Sequence, residues 1–205
     1  FEVYKEKIVP VEFKLISDIP MSRGLGSSAT CVVIGIMTAF DVMNKDLDKK
    51  EILKIATDLE GHPDNVSPAI FGGATASLLD DDKVFVEKFK ISEKIKFLAL
   101  VPDFKLSTEL ARKALPDSYS KKDVVFNISH LSLLILSLIS GDKENIKVAL
   151  NDKIHEPYRF KEIPEIDQIE KIIDESPAIA HYLSGSGSTI MLVLDKRDKD
   201  SEKFI

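Results

Sequence analysis

The stretch PMSRGLGSSAT, residues 20–30, places glycines and serines directly before an apolar run. Gly24 and Gly26 have no Cβ atoms, so the backbone at both positions can take positive φ angles and approach a phosphate group closely. The hydroxyls of Ser27 and Ser28 can bind phosphate oxygens or a metal ion. A helix that begins here would also turn its free N–H groups and the positive end of its dipole toward an anion. On its own the stretch leaves two interpretations open, a phosphate cradle or an ordinary strand-to-helix turn.

Neither of two well-defined nucleotide-binding motifs fits this turn. No Gly-Lys-Ser or Gly-Lys-Thr triplet follows it, as the Walker A motif requires. The glycine spacing also differs from that of dinucleotide-binding proteins, and no acidic residue ends a second strand at the expected distance. A nucleoside triphosphate would therefore be bound here by a different kind of loop.

The elements around the turn must present it to a ligand. Before the turn, alternating apolar residues predict a half-buried strand over Val11–Ile16. After it, an apolar run predicts a helix over about residues 28–43, which we expect to be deeply buried because it is apolar almost all round. Asp48 and Glu51 have the spacing of a capping box, which predicts a second helix over residues 49–60.

Strands and helices intermix along the rest of the chain without strict alternation, which favours an α+β fold over a doubly wound parallel sheet. We place a boundary near residue 92, which gives domains 1–92 and 93–205. The acidic turn Asp80–Asp82 joins the predicted strands Thr75–Leu79 and Lys83–Phe89. The longest predicted helix, over residues 120–140, is expected to lie in the core. The predicted strands are Thr75–Leu79, Lys83–Phe89, Lys94–Val101, 178–183 and 189–194, and the predicted helices are 108–115, 120–140, 142–150 and 165–175.

The composition restricts the partners of the chain. With 205 residues, 44% of them hydrophobic, it can fill a sizeable core. A net charge of −6 disfavours nucleic acid and anionic membranes as partners, because both require a basic surface. No apolar run approaches the length of a membrane span, and the first residues lack the basic-then-apolar order of a signal peptide. Cys31, the single cysteine, is expected in the core and cannot form an internal disulfide. We therefore expect a cytoplasmic protein.

Two glycine-rich stretches resemble motifs of the GHMP small-molecule kinase superfamily. Its phosphate-loop signature PxxxGLGSSA matches residues 20–29, and SGSGST at residues 184–189 is similar to its late motif GSGPT, with Ser188 in place of proline. The resemblance implies ATP as the phosphoryl donor and a late motif that packs beside the phosphate loop. It also implies a two-domain fold, with a ribosomal-protein-S5-domain-2-like N-terminal part and a ferredoxin-like C-terminal part. The implied ATP-binding residues are Pro20, Ser22, Arg23, Gly24, Leu25, Gly26, Ser27 and Ser28.

Within that superfamily, EGHPDNVSPAIFGG at residues 60–73 resembles a segment of homoserine kinases and departs from it at Ser67. Stretches within residues 106–116 and 152–164 are similar to the same family. The resemblance implies ATP-dependent phosphorylation of the hydroxyl of L-homoserine to O-phospho-L-homoserine, in threonine biosynthesis, and it suggests a homodimer. A first motif of the family, PATSANLGPGFD, is not in the sequence. We therefore expect an internal portion of a longer enzyme, which alone need not be active.

Magnesium is the metal that the resemblance implies, held by Ser28 and Glu60, since a hydroxyl and a carboxylate suit a hard cation. Glu60 can also be interpreted as an ordinary helix-end acid, although it would face the unfavourable end of the helix dipole. Asn65 matches the position of the aspartate base in mevalonate kinases; an amide cannot take a proton, so Asn65 is implied to orient the substrate hydroxyl. Asp64 is expected to bond turn backbone. Asn65 and Glu60 are the candidate catalytic residues.

The α-carboxylate of homoserine calls for a cation with two parallel donors. Arg112 and Arg159 match the substrate arginines of the family, and Gly185 is implied in substrate binding. Thr108 either binds substrate or only occupies the first turn of its helix. The four histidines are expected to have structural roles, because no pair of them shows metal-ligand spacing.

Two alternatives remain at this point. Another kinase of the superfamily, acting on mevalonate, diphosphocytidyl-methylerythritol or shikimate, would use the same phosphate loop. A kinase-fold protein without catalysis would also have it. Asn65 and the two arginines argue against the first alternative. Ser28 with Glu60 argues against a sensor of this fold, whereas the absence of the first motif leaves an inactive kinase-fold fragment open.

Overall fold

A computed structural model of the chain describes residues 2–104, 106 and 108–204, and the side chain of Thr108 lies outside this description. Helices and strands intermix along these residues, which confirms the predicted α+β class. The helices are α1 (Ser27–Val42), α2 (Lys49–Glu60), α3 (Val66–Phe71), α4 (Thr108–Lys113), α5 (Lys121–Ser140), α6 (Lys143–Ala149), α7 (Glu156–Arg159), α8 (Ile166–Asp174) and α9 (Lys199–Phe204), with 3-10 turns at Glu2–Tyr4 and Phe160–Glu162. The strands are β1 (Ala74–Asp80), β2 (Lys83–Phe89), β3 (Ile95–Leu100), β4 (Ala180–Leu183) and β5 (Ile190–Asp195).

The chain forms two compact units. The first comprises residues Phe1–Met21 and Gly26–Phe89, and the second comprises Ser22–Leu25 and Lys90–Ile205. The glycine-serine turn is therefore divided, because its middle residues belong to the second unit and its end belongs to the first.

In the first unit, α1, α2 and α3 pack against one another, and α2 and α3 also contact the β1–β2 hairpin. Apolar residues recur at helical spacing on α1 and α2, so each helix turns one stripe inward. The buried core of this unit is Ala29, Val33, Ile36, Phe40, Ile52, Leu53, Ala56 and Val66.

Two predicted helix starts have the expected caps. Asp48 accepts a hydrogen bond from the backbone N–H two residues later and so begins α2. The hydroxyl of Ser120 accepts from the backbone N–H of Asp123 at 3.1 Å and begins α5. The reciprocal bond of the predicted capping box is not formed: the backbone N–H of Asp48 donates to the carbonyl of Asp46 at 3.2 Å, and Glu51 accepts a hydrogen bond from the hydroxyl of Tyr4.

The two strands predicted around the acidic turn form an antiparallel hairpin. Ala74 lies opposite Phe89 at one end and Asp80 lies opposite Lys83 at the other. The turn is tight because Asp81 takes a positive φ angle of 51°, which aspartate tolerates better than most residues. This hairpin confirms the local prediction.

In the second unit, β3, β5 and β4 form an antiparallel sheet with β5 in the centre. Alternate residues of β5 face opposite sides of the sheet. Ile190 and Leu192 pack with Ile173 of α8 in one core, while Val193 packs with Ile146 of α6 in another. Both faces of the central strand are therefore covered.

The prediction of a strand over Val11–Ile16 is wrong. The segment is irregular, and its apolar side chains are exposed, Phe13 by 64% and Leu15 by 58%. A strand needs a neighbour that satisfies its backbone N–H and C=O groups. Among the described residues no strand pairs with this segment, so the apolar alternation alone does not produce one.

Helices α1 and α5 are less buried than predicted. Cys31 and Ile34 of α1 are exposed, so this helix buries a stripe and not its whole surface. On α5, Ser137 is buried whereas Ile128 and Leu136 are more than 60% exposed, so the prediction of a core helix is wrong. By length and composition only, α5 is the one described helix that could cross a membrane, contrary to the expectation that no run approaches that length.

Candidate active site

Helix α1 begins within the glycine-serine turn. Gly26 occupies the N-cap position in the left-handed conformation (φ 72°), and its carbonyl accepts hydrogen bonds from the backbone N–H and the hydroxyl of Thr30, each 3.0 Å long. Because Gly26 has no side chain, the first-turn N–H groups of Ser27, Ser28 and Ala29 receive no side-chain cap from it. This helix start can present N–H donors and a positive dipole end to a phosphate.

The middle of the turn bonds to the late glycine-rich loop (residues 184–189), which lies in the same compact unit. The backbone N–H of Thr189 donates to the carbonyl of Arg23 at 3.1 Å. The hydroxyl of Ser184 donates to the carbonyl of Gly24 at 2.8 Å. These two bonds place the late loop beside phosphate-loop residues, as the resemblance implied.

Gly24 is in close contact with the late glycine-rich loop. A Cβ atom at this position would overlap the carbonyl oxygen of Ser184 and lie 2.9 Å from the carbonyl oxygen of Gly187. Its φ angle of 74° is also in the region that side chains disfavour. Only glycine therefore fits here.

The side chains of the turn differ in their surroundings. Nη2 of Arg23 donates to the carbonyl of Asp103 at 3.0 Å. Pro20 and Ser22 are exposed, and Leu25 is half-buried. A role of Arg23 toward a phosphate would fall on its remaining N–H groups or on its backbone.

Ser28 and Glu60, the residues implied to hold a metal, are in contact. Ser28 Oγ donates to Glu60 Oε1 at 3.1 Å. Glu60 is the last residue of α2, which ends because Gly61 takes a positive φ angle of 83° and donates to the carbonyl of Thr57 at 2.7 Å. The described residues contain no cluster of three or more metal-binding side chains. Two protein oxygens plus substrate phosphates are nevertheless what Mg²⁺ commonly uses, so the Ser28–Glu60 pair fits this ion.

Asn65 lies at the N-cap position of α3 with an exposed side chain that makes no capping hydrogen bond. This is unusual for asparagine, which normally caps through its side chain. Just before it, Nδ1 of His62 and Oδ1 of Asp64 are in contact. The carboxamide of Asn65 can therefore serve a substrate hydroxyl.

Arg159 and Gly185, two of the implied substrate residues, are also in contact. Nη1 of Arg159 donates to the carbonyl of Gly185 at 2.9 Å, and its Nε donates to the carbonyl of Ala111 at 3.3 Å. Burial lowers the pKa of the Arg159 guanidinium, and the positive charge of Arg112 acts in the same direction. We call Arg112, Arg159 and Gly185 the arginine group. Thr108 begins the helix that carries Arg112, and its side chain lies outside the described part of the chain.

A polar network that was not predicted from the sequence lies at the start of α7. Asp152 accepts hydrogen bonds from backbone N–H groups there and from the side-chain amide of Asn127; burial alone would raise the pKa of Asp152, but these donors lower it. Next to it, Glu156 is buried and accepts from the backbone N–H of Leu183 at 2.7 Å. Burial raises the pKa of Glu156 to about 7. The local signal was Pro157, which is typical of a helix start.

Comparison with known proteins connects these features to a family. Models described as GHMP kinases N terminal domain and GHMP kinases C terminal match residues 1–73 and 134–204. A homoserine kinase of Clostridium botulinum, Type A, is 48% identical over all 205 residues, which cover 69% of that protein. The chain belongs to the homoserine kinase family of GHMP kinases. It is thus a kinase-family transferase with the two-domain GHMP fold.

Other homoserine kinases are similar to most of the chain. A homoserine kinase of Clostridium acetobutylicum is 45% identical over 184 residues, which are 90% of this chain and 62% of that protein. The crystal structure of the homoserine kinase from Cytophaga hutchinsonii matches 91% of this chain and 61% of its own, with a TM-score of 0.81 and 26% identity. The chain therefore spans about two thirds of the length of these homoserine kinases.

Proposed function

We propose that the protein transfers the γ-phosphoryl group of ATP to the hydroxyl of L-homoserine, forming O-phospho-L-homoserine for threonine biosynthesis. The observation that carries this proposal is the 3.1 Å hydrogen bond between Ser28 and Glu60, at the start of a helix without a side-chain cap. A hydroxyl and a carboxylate thus lie where a phosphate would meet N–H donors. The similarity to homoserine kinases supports homoserine as the phosphoryl acceptor. We place the reaction in the cytoplasm, because it consumes ATP.

The turn from Pro20 to Ser28 would hold the phosphates of ATP. Backbone N–H groups at the start of α1 would donate to phosphate oxygens, and Gly24 and Gly26 keep side chains away from them. Ser28 and Glu60 would hold Mg²⁺, which when bound neutralises charge on the β- and γ-phosphates. The residues of the turn thus supply the donor half of the reaction.

Asn65 would orient the hydroxyl of homoserine for attack. Its carboxamide oxygen can accept a hydrogen bond from that hydroxyl, since the side chain is not used to cap α3. An amide cannot remove the proton, so the proton would leave late, to a phosphate oxygen or to water. The transfer would therefore depend on positioning and charge neutralisation and not on a protein base.

Arg112 and Arg159 would bind the α-carboxylate of homoserine. Nε and Nη1 of Arg159 each bond to a backbone carbonyl, which fixes the plane of the guanidinium and leaves other N–H groups for the carboxylate. Gly185 would contribute by holding Arg159 in this orientation. Thr108, on the same helix as Arg112, is a further candidate for contact with the substrate.

An ADP-release assay on the full-length protein tests this function. ATP and Mg²⁺ are supplied with L-homoserine, mevalonate or shikimate, and we expect ADP release that depends on homoserine. L-2-Aminobutyrate, which lacks the hydroxyl, is expected to give background release, and homoserine amide, which lacks the carboxylate, is expected to have a higher KM. Release of ADP that is independent of homoserine, or that prefers mevalonate or shikimate, would overturn the proposal.

A further inference from the structure

Helix α7 contacts the start of the late glycine-rich loop at two points. The carboxylate of Glu156 accepts a hydrogen bond of 2.7 Å from the backbone N–H of Leu183, the last residue of β4. One turn further along α7, Nη1 of Arg159 donates to the carbonyl of Gly185 at 2.9 Å. The segment Leu183–Gly185 is therefore bonded to α7 at both of its ends.

The same segment also holds the phosphate loop. Between its two contacts with α7, the hydroxyl of Ser184 donates to the carbonyl of Gly24 at 2.8 Å. Gly185 lies close to the same group, since a Cβ atom at Gly185 would be 3.4 Å from the carbonyl oxygen of Gly24. A shift of Leu183 would thus move the hydroxyl that fixes Gly24.

Glu156, which accepts the hydrogen bond from Leu183, is itself held in place by its neighbours. It is 9% exposed, and its backbone N–H donates to Asp152, which is held by Asn127 of α5. Burial of a carboxyl group is costly unless a hydrogen bond compensates for it, and an apolar side chain would fill the same space at a lower cost. The burial that raises the pKa of Glu156 to about 7 reflects that cost. A carboxyl group in this place indicates a role in holding Leu183.

We propose that Glu156 is a positioning residue for ATP: by holding Leu183 it keeps Ser184 on Gly24, and so keeps the phosphate loop in the shape that binds ATP. This inference rests on the proposed function of the phosphate loop. Glu156 acts through Ser184 and not on the phosphates themselves. A loop that is held in its bound shape binds more tightly, because less of it must be ordered on binding.

Binding of a non-hydrolysable ATP analogue with Mg²⁺, measured by calorimetry on the full-length protein without homoserine, tests the inference. Glu156→Ala removes the acceptor of the Leu183 N–H and is expected to raise the Kd about tenfold, as for loss of one buried hydrogen bond. Glu156→Gln keeps an acceptor oxygen of the same reach and is expected to stay within about twofold of the wild type. This rescue separates the hydrogen bond from the charge.

A double variant tests whether the effect passes through Ser184. Ser184→Ala alone removes the bond to Gly24 and is expected to weaken binding by a similar factor. Because both residues are proposed to act on one contact, Glu156→Ala combined with Ser184→Ala is expected to bind no more weakly than the weaker single variant. If the Kd of the double variant instead rises by the product of the two single-variant increases, the two residues act independently and the inference is overturned.

Asp195 provides a matched control for the loss of a buried carboxylate. It is 8% exposed, lies at the end of β5 and is bonded to Arg197. Asp195→Ala is expected to lower the Tm while leaving the Kd of the analogue within about twofold. A Kd increase equal to that of Glu156→Ala would reduce the Glu156 effect to general destabilisation and overturn the inference.

The remaining outcomes distinguish this inference from the proposed function. If the wild type does not bind the analogue, both fail. If the wild type binds it and Glu156→Ala binds it equally well, the positioning role fails and the kinase function stands. Should the alanine variant not fold, Glu156→Asp makes the same comparison, because its carboxylate is one methylene shorter and is drawn back from the Leu183 N–H.

Discussion

The hydroxyl of Ser28 donates a hydrogen bond of 3.1 Å to the carboxylate of Glu60, although 32 positions separate the two residues in the sequence. Ser28 lies in the first turn of α1 and Glu60 is the last residue of α2. These helices share one buried core, so apolar packing fixes the distance between a hydroxyl and a carboxylate. The packing of α1 against α2 therefore brings the pair together.

The metal role of this pair is tested by Glu60→Gln. The amide can still accept the bond from Ser28, but it carries no negative charge for Mg²⁺, so we expect the Mg²⁺ concentration for half-maximal activity to rise about 10–100-fold. Activity is measured against Mg²⁺ at constant ATP. Asp58→Asn is the control, because Asp58 is an exposed acid on the same helix, paired with Lys54. Equal Mg²⁺ requirements in the wild type and Glu60→Gln would refute the role.

Two glycines of the turn have nearly equal φ angles and different surroundings, which separates backbone strain from overlap. Gly26 has a φ angle of 72° and open space where a Cβ atom would lie. Gly26→Ala should therefore lower the free energy of unfolding by about 1 kcal/mol, the cost of a left-handed alanine. Gly24→Ala adds an overlap with the backbone carbonyl of Ser184, which cannot rotate away, so we expect a loss of about 3 kcal/mol or more. Urea unfolding of both variants measures the difference, and equal losses would contradict the contact.

Local signals were sufficient for the hairpin and for several helix starts. The acidic turn between β1 and β2 and the cap formed by Ser120 each depend on residues within a few positions of one another. The strand predicted over Val11–Ile16 depends on a pairing partner, which its own residues do not specify. The burial of a helix also depends on distant partners. The apolar residues of α5 predict a helix, but they do not specify which other residues pack against it.

The candidate site was predictable through motifs, while its geometry was not. Ser28 and Glu60 could be assigned from the phosphate loop and the segment that begins with Glu60, but the hydrogen bond between them results from helix packing. Glu156 was missed because its partner, the backbone N–H of Leu183, lies 27 positions later in the chain. A backbone donor has no side-chain signature in the sequence, so contacts of this kind become visible only in the folded structure.

Arg112 allows a test of carboxylate binding that leaves the contact between Arg159 and Gly185 intact. Arg112→Leu removes one guanidinium from the arginine group, and we expect the KM for homoserine to rise about tenfold or more at saturating ATP. Lys113→Leu is the matched control, since it removes the next cation on α4, which pairs with Glu109 at the surface. Steady-state kinetics of both variants with homoserine are compared. The same KM in both would show that Arg112 does not bind the carboxylate.

The buried carboxyl of Glu156 predicts a specific dependence of stability on pH. Burial raises its pKa from 4.5 to about 7, so between these values the folded protein keeps a proton that the unfolded chain has released. Stability from this group is therefore present at low pH, falls as pH rises through this window, and levels off above pH 7. The full loss, over the whole difference of about 2.5 between the two pKa values, is about 3 kcal/mol.

Glu156→Gln isolates this contribution, because the amide keeps the shape of the side chain and does not titrate. The free energy of unfolding is measured for both proteins by urea titration from pH 5 to pH 7.5. We expect the wild type to lose about 2–3 kcal/mol relative to Glu156→Gln across this range. Asp152 stays charged throughout because its pKa is lowered, and His155 is present in both proteins, so neither contributes to the difference. Parallel stability curves would mean that Glu156 is ionised in the folded protein below pH 5, and would exclude the buried, protonated carboxyl.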